Sequence, residues 1–232
     1  KGPSIEGRHD PIVGLGLLLD SNMIPIGMKM YPGNESEKPV LRKTIQDLKK
    51  QNNIDGRTIQ IADKGLNCAR NILEAIDHCD GYIFSKSVKQ LSETERTWVL
   101  LENDYTPVYD GSGEIHYSYK SCVEEFEYSY TDDSGKKVKR KVKEKRVVTF
   151  NPKLQKKQVR EISKLVEKAR KCRAAQAKRE EYGDSAKYIE FKSADGKKAI
   201  TSLNEKAIQK DMESAGYNLL VTSEIKMDDQ EI

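Results

Sequence analysis

The chain has 232 residues, 41 of them Lys or Arg and 37 Asp or Glu, for a formal net charge of +4. That length suits one large domain or a domain with an insertion. No apolar run is long enough to cross a membrane, no secretory signal is present, and the four cysteines share no C-x-x-C spacing, which argues against zinc and for reduced thiols in a cytosolic protein.

The charge is unevenly placed. Residues 136–173 hold 17 Lys/Arg and three Asp/Glu, so the remainder of the chain is acidic. A basic block on an acidic background points to a polyanion contact in one place. The sequence opens on Lys1 inside a polar stretch and stops at Asp-Gln-Glu-Ile, so it reads as an internal fragment of a longer protein.

Residues 11–31 read as a β-hairpin. Ile12-Val13-Gly14-Leu15-Gly16-Leu17-Leu18-Leu19 is a near-continuous apolar strand, Asp20-Ser21-Asn22 is turn chemistry, and Met23 begins the return strand. The first strand is apolar enough to predict a central place in a covered sheet. Pro32-Gly33-Asn34 breaks the hairpin, and Asn34-x-x-Glu37 fits a capping box. A helix over 37–51 follows, with Leu41, Thr44, Ile45 and Leu48 on its buried stripe. A strand over 58–62 leads to Asp63-Lys64-Gly65, and Asn67 is placed to cap a helix with Ala69, Ile72, Leu73 and Ile76 on its apolar face.

Gly81-Tyr82-Ile83-Phe84 is a further strand, and a helix over 92–103 holds Trp98. This alternation predicts an α/β protein with a mixed sheet. From residue 105 the pattern turns β-rich, with strands over 114–120, 122–130 and 136–150 and a turn at Asp132-Asp133-Ser134-Gly135. A charged helix over 153–181, a β segment at 188–192, a helix over 204–213 and a strand over 217–223 complete the chain. The division read from this order is 1–104 as the first part of an α/β core, 105–200 as a basic β/α insertion domain, and 201–232 as a return to the core.

Asp63 is the leading candidate for chemistry. Open α/β sheets place their sites at the C-terminal ends of strands, and a carboxylate there followed by a glycine turn is a natural ligand for a hard cation. Asp before Gly at a strand end is also ordinary turn chemistry, and both readings stand. Lys137, Lys139, Lys141, Lys143 and Lys145 alternate along one strand, so they share a face at a spacing of about 6.6 Å. With Arg146 they form a candidate DNA-binding set, able to track phosphates and release counterions. The alternative is an edge strand protected from aggregation by its lysines. Tyr117, Tyr119, Tyr128 and Tyr130 alternate as well, either to stack bases or as an apolar face. His9 in Gly7-Arg8-His9-Asp10 reads as a surface loop residue or a phosphate contact. No Gly-rich phosphate loop, G-x-S-x-G or H-E-x-x-H is present.

Several segments together resemble the DDE transposases of bacterial insertion sequences, in the group with a β-rich insertion in an RNase H-like core. They are Lys1-Gly2-Pro3-Ser4-x-x-Gly7-Arg8-His9-Asp10, Leu17-Leu18-Leu19-Asp20 with Ile24-Pro25-Ile26, Gly33-Asn34-Glu35-Ser36-Glu37, Ile61-Ala62-Asp63-Lys64-Gly65, Gly81-Tyr82-Ile83-Phe84, and residues 216–222. The resemblance implies that Asp63 is the second carboxylate of a catalytic triad. It places the first aspartate on a strand before Lys1 and the glutamate, in a Tyr-x-x-Arg-x-x-x-Glu-x-x-x-x-x-x-Lys pattern absent here, beyond Ile232. It further implies two Mg²⁺ or Mn²⁺ ions in the complete protein, double-stranded transposon-end and target DNA as partner, a homodimer assembled on DNA, and a nucleoid-associated place in the bacterial cytoplasm. The fragment alone is then expected to be catalytically incomplete. The competing readings are another RNase H-like nuclease, and a decayed remnant that binds DNA without catalysis.

Overall fold

The computed structural model describes residues 13–20, 22–32, 37–194 and 197–232. The segments Lys1-Gly2 to Asp10, with His9, and the Gly33-to-Ser36 break lie outside the described residues.

In chain order the elements are β1 (Val13–Leu19), β2 (Pro25–Pro32), α1 (Glu37–Gln51), β3 (Ile59–Ala62), α2 (Ala69–Asp77), β4 (Gly81–Lys86), α3 (Glu93–Leu100) and β5 (Thr106–Tyr109). They continue with β6 (Ile115–Thr131), β7 (Lys137–Phe150), α4 (Pro152–Ala174), α5 (Arg179–Tyr182), β8 (Ile189–Ala194), β9 (Lys197–Leu203), α6 (Glu205–Glu213) and β10 (Tyr217–Thr222). The protein is a mixed α/β molecule. Its main sheet has six strands in the order β3-β4-β10-β7-β6-β5, and β1-β2 and β8-β9 are separate two-stranded sheets. The main sheet is mixed: β3 runs parallel to β4, and β5 antiparallel to β6.

The chain divides into two compact units. One comprises Lys1–Lys86, Cys122–Arg146 and Leu220–Ile232, the other Ser87–Ser121 and Val147–Leu219. β6 has 17 residues, which at about 3.3 Å each exceeds what one small core covers. β6 and β7 each contribute residues to both units, the divisions falling between Ser121 and Cys122 and between Arg146 and Val147.

In the first unit, α2 buries Ile72, Leu73 and Ala75, and β4 buries Tyr82, Ile83 and Phe84. α1 spans the residues its pattern predicts and turns Thr44 and Leu48 inward. Arg42 ties α1 to α2, donating to Asn71 Oδ1 at 2.5 Å and pairing with Glu74 at 2.9 Å. β10 is pinned to β4 by polar contacts: the Thr222 hydroxyl donates to Tyr82 O at 2.6 Å, and Tyr82 N–H donates to Ser223 Oγ at 3.0 Å.

The hairpin departs from the expectation of a central, covered strand. β1 pairs only with β2 among the described residues, with Leu15 opposite Met30 and Leu17 opposite Met28. One face packs on α1, where a Cβ at Gly16 would lie 2.8 Å from Thr44 Cγ2, so the absence of a side chain lets helix and strand approach. The other face is open: Val13 is 63% exposed, Leu15 58% and Met30 64%. The apolar run therefore has one covered face, not two.

In the second unit, Ile162, Val166 and Ala169 of α4 form a core with Tyr182, Tyr188, Ile189 and Ala215. Asn151 starts α4, accepting from Leu154 N–H at 3.0 Å, with Pro152 in the first turn. The helix expected over 153–181 is interrupted after Ala174. Gln176 takes a left-handed φ of 55°, and Ala177 N–H returns to Cys172 O at 2.9 Å. That is a left-handed helix stop, which satisfies the terminal carbonyls without glycine. A Ser92–Glu95 capping box starts α3, and the Lys120 ammonium closes it by donating to Trp98 O and Leu101 O, both at 2.6 Å.

Candidate functional site

Asp63 lies where the sequence places it, directly after β3 and beside the parallel strand β4. Its side chain is exposed and makes a local turn: Gly65 N–H donates to Asp63 Oδ1 at 3.0 Å, and Leu66 N–H to Asp63 O at 3.1 Å. Asn67 does not cap α2 as its position suggested. Its amide donates instead to Ser85 O at 3.0 Å, fastening the loop to the end of β4, and the cap position falls to Cys68, which supplies no side-chain bond. Asn71 donates to Leu66 O at 2.8 Å from the helix side. The loop carrying Asp63 is thus held at its Leu66–Asn67 end by buried and half-buried amides.

A lone exposed carboxylate that already accepts a backbone N–H binds Mg²⁺ weakly, because the ion dehydrates reluctantly. Among the described residues no group of three or more His, Cys, Asp or Glu is placed to hold a metal ion. These residues by themselves do not fit a two-metal centre.

The basic strand is narrower than its alternation suggested. Lys137, Lys139, Lys141 and Lys143 are exposed along one face of β7. Lys145 has the same parity but is buried. Its ammonium donates to Met227 O at 2.5 Å and pairs with Asp229 at 2.6 Å, both in the segment after the last strand. Arg146 points to the other face, where its Nε donates to Glu144 Oε1 at 2.9 Å and its guanidinium lies 3.2 Å from the centre of the Phe126 ring. Lys145 and Arg146 are therefore structural in this fold, and the exposed set reduces to four lysines. That set is partly neutralised by the neighbouring strand, where Glu127 pairs with Lys139 at 2.8 Å.

The tyrosines separate into different roles. Tyr128 is buried with its hydroxyl on Glu144, Tyr130 lies under the Arg70 guanidinium at 5.7 Å, and the Tyr117 and Tyr119 rings are 6.4 Å apart. Tyr128 thus belongs to the apolar face and not to a base-stacking platform.

Sequence reasoning missed the buried carboxylate Glu144. It has no solvent exposure and accepts from Tyr82 OH at 2.7 Å, Tyr128 OH at 2.6 Å and Arg146. Burial first, then the adjacent Glu144 charge, push both phenols far above the usual tyrosine range. The signal was present: Glu144 shares parity with Val138 and Val142, which marks the inward face. No helix among the described residues is long and apolar enough to cross a membrane. Neither a family model nor a curated protein matches the chain.

Proposed function

We propose that the chain is part of a bacterial DNA transposase, with an RNase H-like core in which Asp63 is one metal-holding carboxylate. The observation that carries this reading is the position of Asp63: at the C-terminal end of a parallel strand in a mixed sheet, within Ile61-Ala62-Asp63-Lys64-Gly65, and followed by a helix. Strand cleavage and joining are in-line displacements at phosphorus, chemistry that depends on carboxylate-held Mg²⁺ or Mn²⁺. The described residues supply a single such ligand. What this chain contributes is a carboxylate held in place by Asn67 and Asn71, and an exposed basic surface for double-stranded DNA. A homodimer assembled on DNA and a place in the bacterial cytoplasm belong to the same proposal.

The same geometry favours one rival. Asp63 already serves its own turn and stands in no carboxylate group among the described residues, as in a remnant that binds DNA without cutting it. A nuclease without strand joining is the third reading. The complete gene product incubated with a labelled duplex and Mn²⁺ separates them. We expect cleavage and strand transfer, with Asp63→Asn lowering both by at least about 1,000-fold while leaving the circular dichroism spectrum unchanged. Near-normal cleavage by Asp63→Asn removes that residue from the site. Cleavage without transfer selects the nuclease, and duplex binding without cleavage selects the remnant.

A further inference from the structure

α4 carries nine Lys or Arg and two Glu. Its buried side is formed by Ile162, Val166 and Ala169. On the opposite side Lys157, Arg160, Lys164, Lys168 and Lys171 recur every three or four residues, and all five are exposed. They form one ridge about 21 Å long at the helical rise of 1.5 Å per residue. Lys171 pairs with Glu167 at 2.7 Å. Among the described residues no carboxylate pairs with Lys157, Arg160, Lys164 or Lys168.

Like charges three and four apart weaken a helix in isolation. An anionic partner removes that cost and turns the ridge into a binding surface. We infer that the exposed face of α4 is a docking surface for the phosphate backbone of duplex DNA, independent of base sequence. Charge complementarity favours this partner. Over the length of the ridge one DNA strand presents about six phosphates, at about 3.4 Å each. A lysine ridge positions such a backbone and reads no bases. An anionic bilayer fits less well, because surface-bound helices bury an apolar face in the lipid. Here the apolar face of α4 is spent on the protein core, and Leu154 is its one large apolar residue exposed. The β7 lysines are the weaker candidate, since Glu127 pairs with Lys139 in the middle of their row.

The inference rests on the DNA partner of the reading above, but it stands or falls without Asp63. Its test is fluorescence anisotropy of a labelled duplex of about 30 base pairs of arbitrary sequence, titrated with the full chain over a series of NaCl concentrations. The quadruple variant Lys157→Gln, Arg160→Gln, Lys164→Gln, Lys168→Gln is expected to bind about 100-fold more weakly near 0.1 M salt. The slope of log affinity against log salt should flatten by about 3 to 4, at about 0.9 per phosphate contact. The paired variants Lys157→Gln, Arg160→Gln and Lys164→Gln, Lys168→Gln should each flatten it by about half as much, which keeps the test open if the quadruple variant folds poorly. Unchanged affinity and slope in the helix variants, with binding lost on Lys137→Gln, Lys139→Gln, Lys141→Gln, Lys143→Gln, overturns the inference and leaves the DNA reading intact. Absence of duplex binding by the unaltered chain overturns both. Helix variants that keep duplex affinity but no longer sediment with phosphatidylcholine vesicles containing 30% phosphatidylserine (about one anionic lipid in three) also overturn it, in favour of a membrane surface.

Discussion

A carboxylate with no exposure has to be compensated where it sits, and Glu144 is compensated by Arg146, Tyr82 and Tyr128. Removing one partner of such a cluster leaves the other charge buried and unpaired. Glu144→Ala is therefore expected to cost about 3 to 5 kcal/mol in urea unfolding, and a loss below about 1 kcal/mol would contradict this. The two phenols give a pH signature of the same cluster. Both hold their protons more tightly when folded, because of burial and then the Glu144 charge. Their contribution to stability is complete below the ordinary tyrosine value, about 10, and is lost as pH rises beyond it. In an ultraviolet titration, exposed tyrosines should ionise first, and Tyr82 and Tyr128 only with the loss of circular dichroism. Ionisation of every tyrosine before any loss of structure would refute the assignment. The inward parity of Glu144 was legible along the strand. Its partners were not, because Tyr82 lies 62 residues away and no local pattern joins them.

At the scale of elements, local pattern read helices well where one face alternated cleanly. α1, with Thr44 and Leu48 turned inward, matches its expected span. It read less well where a stop depended on backbone conformation, as at Gln176, whose side chain gives no hint of a left-handed φ. The apolar run of β1 misled for another reason. Periodicity reports how many faces are apolar, and it does not report how many are covered. Val13, Leu15 and Leu17 of β1 lie beside Met28 and Met30 of β2 as one open apolar face, the kind of patch that binds hydrophobic dyes. Leu15→Lys with Met30→Lys is expected to reduce anilinonaphthalene sulfonate fluorescence severalfold while shifting the melting temperature little. Unchanged dye binding would place the hydrophobic surface elsewhere. For the candidate site, the position of Asp63 was legible as a strand end before glycine, and so was the exposure of Lys137, Lys139, Lys141 and Lys143. The burial of Lys145 was not, since it depends on Met227 and Asp229.

At the scale of the molecule, the sheet order β3-β4-β10-β7-β6-β5 places the last strand in chain order between β4 and β7. Leu219 and Val221 of that strand are 1% and 0% exposed. The sheet therefore closes through contacts of large sequence separation, which slow folding relative to local pairing. During synthesis, about 5 to 20 residues are added each second. A nascent chain that has completed β4 and the long strand β7 must wait for the 66 residues from Asn151 to Gly216 before Tyr217 begins β10. For those several seconds both strands expose unpaired backbone to any neighbour. Ribosomes crowded on one message would present the same edges in parallel, so yield should depend on how quickly translation runs from Phe150 to Thr222.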